Sequence, residues 1–367
     1  MGSSPIRSVV LLTYHFPPEV GGIQTRIAKY VEKLSERGIN VRVLVAGHNP
    51  RLGPQLKGVR VVVLPGGMKR FPRNAATVAK QVMSSRADAV HVFTGSSTLL
   101  GMYTLALARV VGARAVMSLF GREDFVLASL SPRVLLRLST MISDSIDVNS
   151  TATGRLLPNE FRSKVHVLLG AAEEPQSPDE SVPQEPVLLF VGRLVQRKGV
   201  DDLVRAFALL RARFPEARLS IVGDGPEMES LRKLCEELGV LDSVEFKGTL
   251  VGAPLDHEYA RCTVFILPSK DVATDRANEG LGLALIEASM HAKPLIGTRH
   301  GGIPEVVKDR ENGLLVPPGD PAALAAALGE ILSDDDLARK MGRVAAEMAR
   351  SRFGWGRATD VLLESYA

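Results

Sequence analysis

VLLFVGRLVQRKGVDDLVRAFALL, residues 187–210, contains one complete unit of the fold. It begins with Val187–Val191, a continuous apolar run typical of a strand that is buried on both faces of a parallel sheet. A polar, glycine-containing loop follows, and residues 199–213 have the pattern of an amphipathic helix. The stretch therefore predicts the strand–loop–helix unit from which parallel α/β sheets are built.

The same alternation of short apolar runs and amphipathic helical stretches continues through the chain, which indicates repeated βα units. Ligands of such sheets bind outside the carboxyl ends of the strands, so we expect the chemistry in the strand-to-helix loops. The predicted strands are Val9–Thr13, Val41–Ala46, Val59–Leu64, Ala89–Phe93, Ala115–Leu119, Val187–Val191, Leu219–Val222, Val244–Phe246, Val264–Leu267 and Pro294–Gly297. The predicted helices of the first half are Gln24–Arg37, Ala75–Ser85, Thr98–Val111 and Arg133–Ser143.

One segment, AEEPQSPDESVPQEP at residues 172–186, interrupts this alternation. It is rich in Pro, Ser, Glu and Gln and offers little to bury, so we predict a linker over residues 173–186. The linker separates an N-terminal domain, residues 1–172, from a C-terminal domain, residues 187–351. The sequence thus predicts an α/β protein with two doubly wound, Rossmann-like domains that face each other across a cleft.

The composition excludes several classes of protein. No apolar stretch reaches the roughly 20 residues of a membrane span, and the N-terminus lacks the layout of a signal peptide. Two cysteines in different predicted elements, Cys235 and Cys262, suggest neither a disulfide framework nor a metal site. We therefore expect a cytoplasmic protein.

The charge distribution is uneven, although the net charge is only +4. Residues 37–87 contain ten Lys or Arg side chains and no Asp or Glu. Such a run is commonly a solvated face, but its positive field also suits an anionic lipid surface, which would place the protein at the cytoplasmic membrane face. No nucleic-acid-binding motif accompanies the charge, so we expect no nucleic-acid partner.

Two of the loops are suited to an anion. Gly21 and Gly22 precede a helix, where paired glycines either serve packing alone or let the backbone approach a phosphate that the helix N–H groups bind. Arg193 and Lys198 follow a buried strand, where two cations are either solvated side chains of a polar turn or a clamp for a diphosphate. Their position at the carboxyl end of a strand favours the clamp.

A third loop, EGLGLALIE at residues 279–287, places one glutamate at each end of an apolar run. Gly280 and Gly282 come just before the helix, so backbone N–H groups converge there. Glu287 lies among apolar neighbours, and a buried carboxylate needs hydrogen-bond donors, for which sugar hydroxyls are suitable. A fourth loop, IVGDGPEME at 221–229, has Met228 where a dinucleotide fingerprint has its third glycine, which argues against a dehydrogenase.

These loops, taken in order, resemble glycosyltransferase family 4, whose members are retaining enzymes of the GT-B fold. The matching stretches are FPPEVGG, GRLVQRKG, VGDGPE, LPS at 267–269, EGLGLALIE and GGIPE at 301–305, which together span nearly the whole chain. FPPEVGGIQ and NEGLG also look like the phosphatidylinositol-mannoside mannosyltransferase branch.

The resemblance implies a role for each matching residue. Arg193 and Lys198 would hold the donor diphosphate, Glu279 would contact the transferred sugar, and Glu287 would accept hydrogen bonds from the ribose. The C-terminal helix, about residues 352–367, would return to the N-terminal domain. Backbone and loop contacts to the donor would come from Gly21, Gly22, Gly248, Thr249, Leu250, Gly280, Leu281, Gly282 and Leu283.

The implied chemistry is the transfer of a sugar from a nucleotide-diphosphate sugar, with GDP-mannose as our first expectation. Negative charge develops on the departing diphosphate, and fixed cations and helix N–H groups stabilise it, so we expect neither a metal ion nor another cofactor. The acceptor would be a sugar, a lipid-linked molecule or a polymer. Front-face substitution is the usual proposal for the family.

One position departs from the family pattern. Phe120 stands in SLFGREDF where members often have histidine, and phenylalanine cannot hydrogen-bond a sugar hydroxyl. Either another residue supplies the contact, with Arg122, Glu123 and Asp124 as candidates, or the contact is dispensable, or the protein is impaired. Two other functions therefore stay open: a nucleotide-sugar-binding protein without transferase activity, and a nucleotide-sugar 2-epimerase that would act without an acceptor.

Overall fold

A computed structural model describes residues 5–17, 22–46, 58–64, 71–93, 98–120, 130–175, 185–272 and 279–367. The chain divides into two units. The first comprises Met1–Gly170 together with Trp355–Ala367, and the second comprises Ala171–Gly354. Most of the predicted linker, residues 176–184, lies outside the described residues.

The first unit is built on a parallel sheet of seven strands, in the order β3-β2-β1-β4-β5-β6-β7, within the described residues. Each strand is short and most are rich in Val, Leu and Ile, because both faces of the sheet are covered by helices. The strands are β1 Ser8–Thr13, β2 Asn40–Val45, β3 Val59–Val63, β4 Ala89–Val92, β5 Arg114–Leu119, β6 Ser145–Val148 and β7 Val165–Val167.

The helices of this unit form two groups. α2 packs against α3, and α3 packs against α4, while α1 packs against the C-terminal helix α13. The helices are α1 Gly22–Glu36, α2 Phe71–Ser85, α3 Leu99–Val110, α4 Leu130–Ile142, the one-turn α5 Thr151–Gly154, and α13 Trp355–Tyr366.

Buried polar contacts fix α13 to the first sheet. The Tyr366 hydroxyl lies 2.9 Å from His91 Nδ1 on β4, and the Ser365 hydroxyl donates to Asp147 Oδ2 on β6 at 3.1 Å. Burial lowers the pKa of His91 to about 3 and raises the pKa of Asp147 to about 8. Both groups are therefore uncharged at neutral pH, which removes the electrostatic penalty of burying them.

The second unit repeats the design with six parallel strands in the order β10-β9-β8-β11-β12-β13. The strands are β8 Val187–Val191, β9 Arg218–Val222, β10 Val244–Gly248, β11 Val264–Leu267, β12 Leu295–Thr298 and β13 Gly313–Val316. The helices are α6 Val200–Arg211, α7 Met228–Glu237, α8 Ala253–Arg261, α9 Leu283–Met290, α10 Ile303–Val306, α11 Pro321–Leu332 and α12 Asp335–Phe353.

In each sheet the first strand of the unit lies between the second and the fourth, so the strand order reverses at that point. This order is the doubly wound Rossmann pattern, and the predicted fold class is confirmed. The structure adds β6, β7 and β13, which the sequence patterns do not predict. β6 carries Ser145 and Asp147 instead of an apolar run, β7 is three residues long, and β13 begins at a glycine.

Candidate active site at the carboxyl edge of the second sheet

The site begins with two neighbouring strands. β8 and β11 pair directly, with Val264 opposite Leu188 and Phe265 opposite Leu189, at the point where the strand order reverses. The loops that follow them therefore leave the sheet side by side, and between them they carry the predicted clamp and the EGLGLALIE segment. This reversal point is where doubly wound sheets bind their ligands.

A glycine lets the two loops lie in contact. Gly199, the last residue of the first loop, has φ +65°, and a Cβ atom there would collide with the carbonyl oxygen of Pro268 in the second loop. The Lys270 amide also donates to the Arg197 carbonyl oxygen at 2.9 Å. Because only glycine combines this φ with this close approach, the two loops hold each other in a fixed position.

A buried carboxylate joins the two loops. Glu279 Oε2 lies 2.6 Å from Lys198 Nζ, accepts a hydrogen bond from the Ser269 hydroxyl at 2.8 Å, and lies 3.8 Å from an Arg197 guanidinium nitrogen. The glutamate is only 8% exposed. The structure thus brings together two of the three residues that the sequence predicts to be catalytic, and it adds a hydroxyl and a second cation beside them.

The charge of Glu279 is set by these partners. Burial by itself would raise the pKa of its carboxyl group, but the Lys198 ammonium, the Ser269 hydroxyl and the Arg197 guanidinium together hold the pKa below its ordinary value. Glu279 is therefore ionised at neutral pH and forms a charge-assisted pair with Lys198.

A further lysine beside the site is already neutralised. Lys270 Nζ lies 2.8 Å and 2.7 Å from the two carboxylate oxygens of Asp201 and 2.8 Å from Asp202 Oδ2, at the start of α6. Burial alone would lower the pKa of Lys270, but these carboxylates raise it above the ordinary value. Lys270 thus fixes the start of α6. The first loop also carries Lys198, which pairs with Glu279, and the exposed side chain of Arg193.

Helix α9 begins beside this cluster. Its N-cap, Gly282, has φ +78° and makes no side-chain cap hydrogen bond, and the first turn contains no acidic residue. Gly280, Leu281 and Leu283, the other predicted backbone contacts, lie at the same helix start. Amides without a capping side chain carry the positive end of the helix dipole, so this end of α9 is suited to an anion.

The second glutamate of the motif is held by a different group. Glu287, on the second turn of α9 and half-buried, accepts a hydrogen bond from the Tyr259 hydroxyl at 2.5 Å. Burial raises the pKa of Glu287 above its ordinary value, and Asp256 raises it further, although the Tyr259 hydrogen bond works in the opposite direction. Tyr259 is itself fixed by stacking on His291, with ring centroids 5.4 Å apart.

The loop with the predicted donor contacts Gly248, Thr249 and Leu250 lies at the end of β10, two strands away from β8. Gly248 has φ +66°, and its carbonyl oxygen accepts a 2.7 Å hydrogen bond from the Gly223 amide at the end of β9. Thr249 is exposed and Leu250 is half-buried. The loop is therefore anchored to the neighbouring strand and presents side chains at the same edge of the sheet as the cation cluster.

Comparison with known proteins agrees with this geometry. The family model described as "Glycosyl transferase 4-like domain" matches residues 21–157, and "Glycosyl transferases group 1" matches residues 173–348. The GDP-mannose-dependent alpha-(1-6)-phosphatidylinositol monomannoside mannosyltransferase of Mycobacterium tuberculosis is 30% identical over 374 residues, covering 95% of this chain and 94% of that protein. The chain belongs to glycosyltransferase family 4. It is an enzyme that uses a nucleotide sugar, as the sequence predicts.

Other relatives of this glycosyltransferase extend the comparison. The 2-deoxystreptamine N-acetyl-D-glucosaminyltransferase of Streptomyces fradiae is 28% identical over 378 residues, covering 91% of this chain and 88% of that protein. Anabaena HepE, solved in complex with UDP, superposes with a TM-score of 0.76 at 17% identity and covers 98% of this chain and 99% of that one. This last likeness supports the GT-B fold alone.

The remaining predicted residues of this glycosyltransferase lie in the first unit. Gly22 is the exposed first residue of α1, whereas Gly21, Arg122, Glu123 and Asp124 lie outside the described residues. Phe120 follows β5, where its ring stacks on Phe93 at a centroid distance of 6.4 Å and lies 5.4 Å from the Arg26 guanidinium. The ring of Phe120 is thus held by an aromatic and a cationic neighbour, and its carbonyl oxygen accepts a hydrogen bond from the Asn149 side chain.

Sequence reasoning missed three residues of the glycosyltransferase site. Ser269 belongs to the quoted LPS stretch and Arg197 to GRLVQRKG, so both had a signal, but neither was assigned a role. Tyr259 had no such signal, because only the folded structure brings its hydroxyl to Glu287.

Within the described part of the chain, no group of three or more His, Cys, Asp or Glu side chains is arranged to hold a metal ion.

Proposed function

We propose that this glycosyltransferase transfers mannose from GDP-mannose to a lipid-linked, glycan or small-molecule acceptor, with retention of configuration and without a bound metal ion. The observation that carries the proposal is the Lys198–Glu279 pair at the reversal point of the second sheet, beside the uncapped start of α9. The choice of GDP-mannose is supported by the M. tuberculosis relative, which is a GDP-mannose-dependent mannosyltransferase.

In this proposal the donor binds on the second unit. Its diphosphate accepts hydrogen bonds from Lys198, Arg193 and the first-turn amides of α9, since these groups are cationic or carry the positive end of a helix dipole. The ionised Glu279 accepts from a hydroxyl of the transferred sugar, and Glu287 accepts from the ribose. The acceptor binds on the first unit.

The same groups would promote the reaction. As the sugar–phosphate bond breaks, negative charge grows on the diphosphate, and the fixed cations stabilise that charge more in the transition state than in the ground state. The electron pair leaves with the diphosphate, and the acceptor hydroxyl attacks the sugar from the same face while it passes its proton to the departing phosphate oxygen. The protein then needs no nucleophile of its own.

The donor assignment is tested by thermal shift with GDP-mannose, UDP-glucose, UDP-N-acetylglucosamine and ADP-glucose. A ligand at 100 times its dissociation constant stabilises the folded state by about 2.7 kcal/mol, which is enough to rank the donors. Stabilisation by UDP-N-acetylglucosamine alone would favour the activity named for the S. fradiae relative. Stabilisation by none of the four would contradict the donor site.

The catalytic assignment is tested with Lys198→Ala. Loss of a charge-assisted contact to the developing oxyanion should reduce kcat roughly 100-fold or more. The matched control is Lys233→Ala, because Lys233 is an exposed cation on α7 of the same unit. Equal loss in both variants, or unchanged turnover in Lys198→Ala, would refute the assigned role. The anomeric configuration of the product tests retention. Turnover in the presence of a chelator tests metal independence.

Part of the proposal concerns location, at the cytoplasmic face of an anionic membrane. Within the basic run, the described side chains of Arg60, Arg73, Lys80 and Arg86 are exposed, whereas Arg37 pairs with Asp360. Arg42 donates to the Gln81 carbonyl oxygen and to Ser84, and Arg51, Lys57, Lys69 and Arg70 lie outside the described residues. No helix of the described residues is both long and apolar enough to cross a membrane.

A further inference from the structure

Helix α4 turns apolar side chains toward solvent. Val134, Leu138 and Met141 are 52%, 39% and 57% exposed. Their spacing of four and three residues puts them on one face of the helix, over a length of about 10 Å. We call these three residues the α4 stripe. Single exposed apolar residues are common on proteins, but three in register on one helix form a continuous surface.

The buried face of the same helix is partly polar. Ser139 and Thr140 are buried beside Leu136, and the Thr140 hydroxyl donates to the Leu136 carbonyl oxygen at 2.7 Å. A surface helix of a globular protein normally buries its apolar stripe and exposes its polar face. In α4 hydroxyls are buried while larger apolar side chains are exposed, which indicates that the outer face has a partner of its own.

The surroundings of the α4 stripe are positively charged. Helices α2, α3 and α4 contain no Asp or Glu, and they pack side by side in one layer. Among the described carboxylates, Asp144 pairs with Arg109 and Glu160 pairs with Arg137. The exposed cations of the three helices are Arg73, Lys80, Arg109, Arg133 and Arg137.

Charge and apolar exposure together select the partner. A purely polyanionic partner would need the cations alone and would leave the α4 stripe in water. A second copy of this chain would bring arginines of like sign together around the stripe, which opposes association. An anionic bilayer satisfies both features, because apolar side chains enter the headgroup boundary while Arg side chains reach the lipid phosphates.

We propose that the outer face of α4 is a membrane-binding surface that inserts the α4 stripe into the interfacial region of an anionic bilayer. This inference deepens the membrane association proposed above and rests on it, but it names residues outside the basic run of 37–86. It also predicts an apolar component of binding, which attraction by the basic run alone does not require.

The primary test is co-sedimentation of the full chain with vesicles of phosphatidylcholine, alone or mixed with phosphatidylglycerol. The wild type should bind the mixed vesicles and not the neutral ones. The triple variant Val134→Ser/Leu138→Ser/Met141→Ser should bind roughly tenfold more weakly, because apolar surface no longer leaves water. The matched control is Leu209→Ser/Leu238→Ser, which removes two exposed apolar side chains from the second unit and should bind like the wild type.

A second pair of variants separates charge from insertion. Arg133→Gln/Arg137→Gln should weaken binding by about fivefold per removed charge at low salt, and the loss should shrink as salt increases. The loss caused by the triple serine variant should persist at high salt. Binding that is insensitive to the triple variant and sensitive only to charge would overturn the insertion and leave the electrostatic association intact.

Insertion can be observed directly by fluorescence. The chain has one tryptophan, Trp355, which is 8% exposed. Met141→Trp adds a reporter in the α4 stripe, and its emission should be quenched by brominated lipid in the mixed vesicles, while wild-type emission should not change. An unquenched Met141→Trp variant that still sediments with vesicles would refute insertion at this face.

The remaining outcomes are also decisive. The substituted residues are exposed, so the melting temperatures of the variants should match that of the wild type, and a folded triple variant makes its binding result interpretable. A wild-type dimer that the triple variant dissociates would assign the α4 stripe to a self-interface and overturn the lipid partner. Failure of the wild type to bind any vesicle would refute the membrane association itself, while donor binding would still be tested separately.

Discussion

The ion pair between Lys198 and Glu279 gives the most direct test of the site, because removing one partner leaves a buried charge. Lys198→Met keeps most of the side-chain volume and removes the ammonium group. Breaking a buried pair in this way costs about 3–5 kcal/mol, and we expect the lower end because Ser269 and Arg197 still contact the carboxylate. A domain of this size loses roughly 2–4 °C in melting temperature per kcal/mol, so we expect a decrease of about 6–12 °C at neutral pH.

The effect should depend on pH with a defined sign. In the wild type the folded-state pKa of Glu279 is below its ordinary value, so its contribution to stability is present above the unfolded-state pKa and is lost as the pH falls through the folded-state value. In Lys198→Met the largest remaining influence is burial, which raises the pKa above the ordinary value. The variant should therefore lose stability as the pH rises through that raised pKa. Its deficit relative to the wild type should be larger at about pH 7.5 than at about pH 5.

The assay is thermal unfolding of the wild type, Lys198→Met, Glu279→Gln and the double variant at both pH values. Because a neutral amide needs no cation, Glu279→Gln should recover much of the stability that Lys198→Met loses at the higher pH. Lys233→Met controls for removal of an exposed lysine. A deficit that is equal at the two pH values, or a double variant as unstable as Lys198→Met, would refute the argument that an ionised Glu279 depends on Lys198.

Three further predictions address other parts of the site. Tyr259→Phe removes the hydrogen bond that lowers the pKa of Glu287, so a larger share of Glu287 should be protonated at lower pH. Donor binding should therefore weaken about tenfold, and by more at lower pH, as calorimetric titration at two pH values measures. Gly199→Ala should lower the free energy of unfolding in urea by about 1–3 kcal/mol, because alanine would have to adopt a left-handed backbone conformation with its Cβ against the Pro268 carbonyl oxygen. A loss smaller than that of a Gly→Ala change at an exposed position would contradict the contact. Tyr14 follows β1 in the first unit, and its hydroxyl shares a 3.2 Å hydrogen bond with the Thr98 hydroxyl. Because the proposed acceptor binds on that unit, Tyr14→Phe should leave the donor dissociation constant unchanged and raise the acceptor KM several-fold, whereas a changed donor affinity would place Tyr14 in the donor site.

Most of the fold could be predicted from the sequence because parallel strands buried on both faces must be apolar. Val187–Val191 and Val264–Leu267 were predicted with the bounds that the structure has. The strands that escaped prediction lack that signal: β6 carries Asp147, which is tolerated only because burial raises its pKa and Ser365 donates a hydrogen bond to it. That hydrogen bond joins residues far apart in the chain, so no local pattern reveals it.

The candidate site shows the same limit. The two loops and their charged residues could be located from the sequence, because cations and glycines at strand ends are unusual in a core. The pairing of Lys198 with Glu279 could not, since it depends on β8 lying next to β11, and the strand order is a property of the whole sheet. For the same reason the two glutamates of EGLGLALIE could not be distinguished, although one is ionised by a lysine and the other is held by a neutral tyrosine.

The two units share one strand order but place side chains of different chemistry at its reversal point. Both sheets reverse between their first and fourth strands, and a side-chain contact joins the segments after those strands in each unit. In the second unit the contact is the charged pair Lys198–Glu279, whereas in the first it is the 3.2 Å hydrogen bond between the Tyr14 and Thr98 hydroxyls. Burial raises the pKa of Tyr14, so this contact is uncharged at neutral pH. A diphosphate needs cations, and Lys198, the cation of this ion pair, belongs to the second unit. Under the proposed function, a neutral, hydroxyl-bearing acceptor would match the uncharged polar pair of the first unit, so that one strand order would position two different binding chemistries.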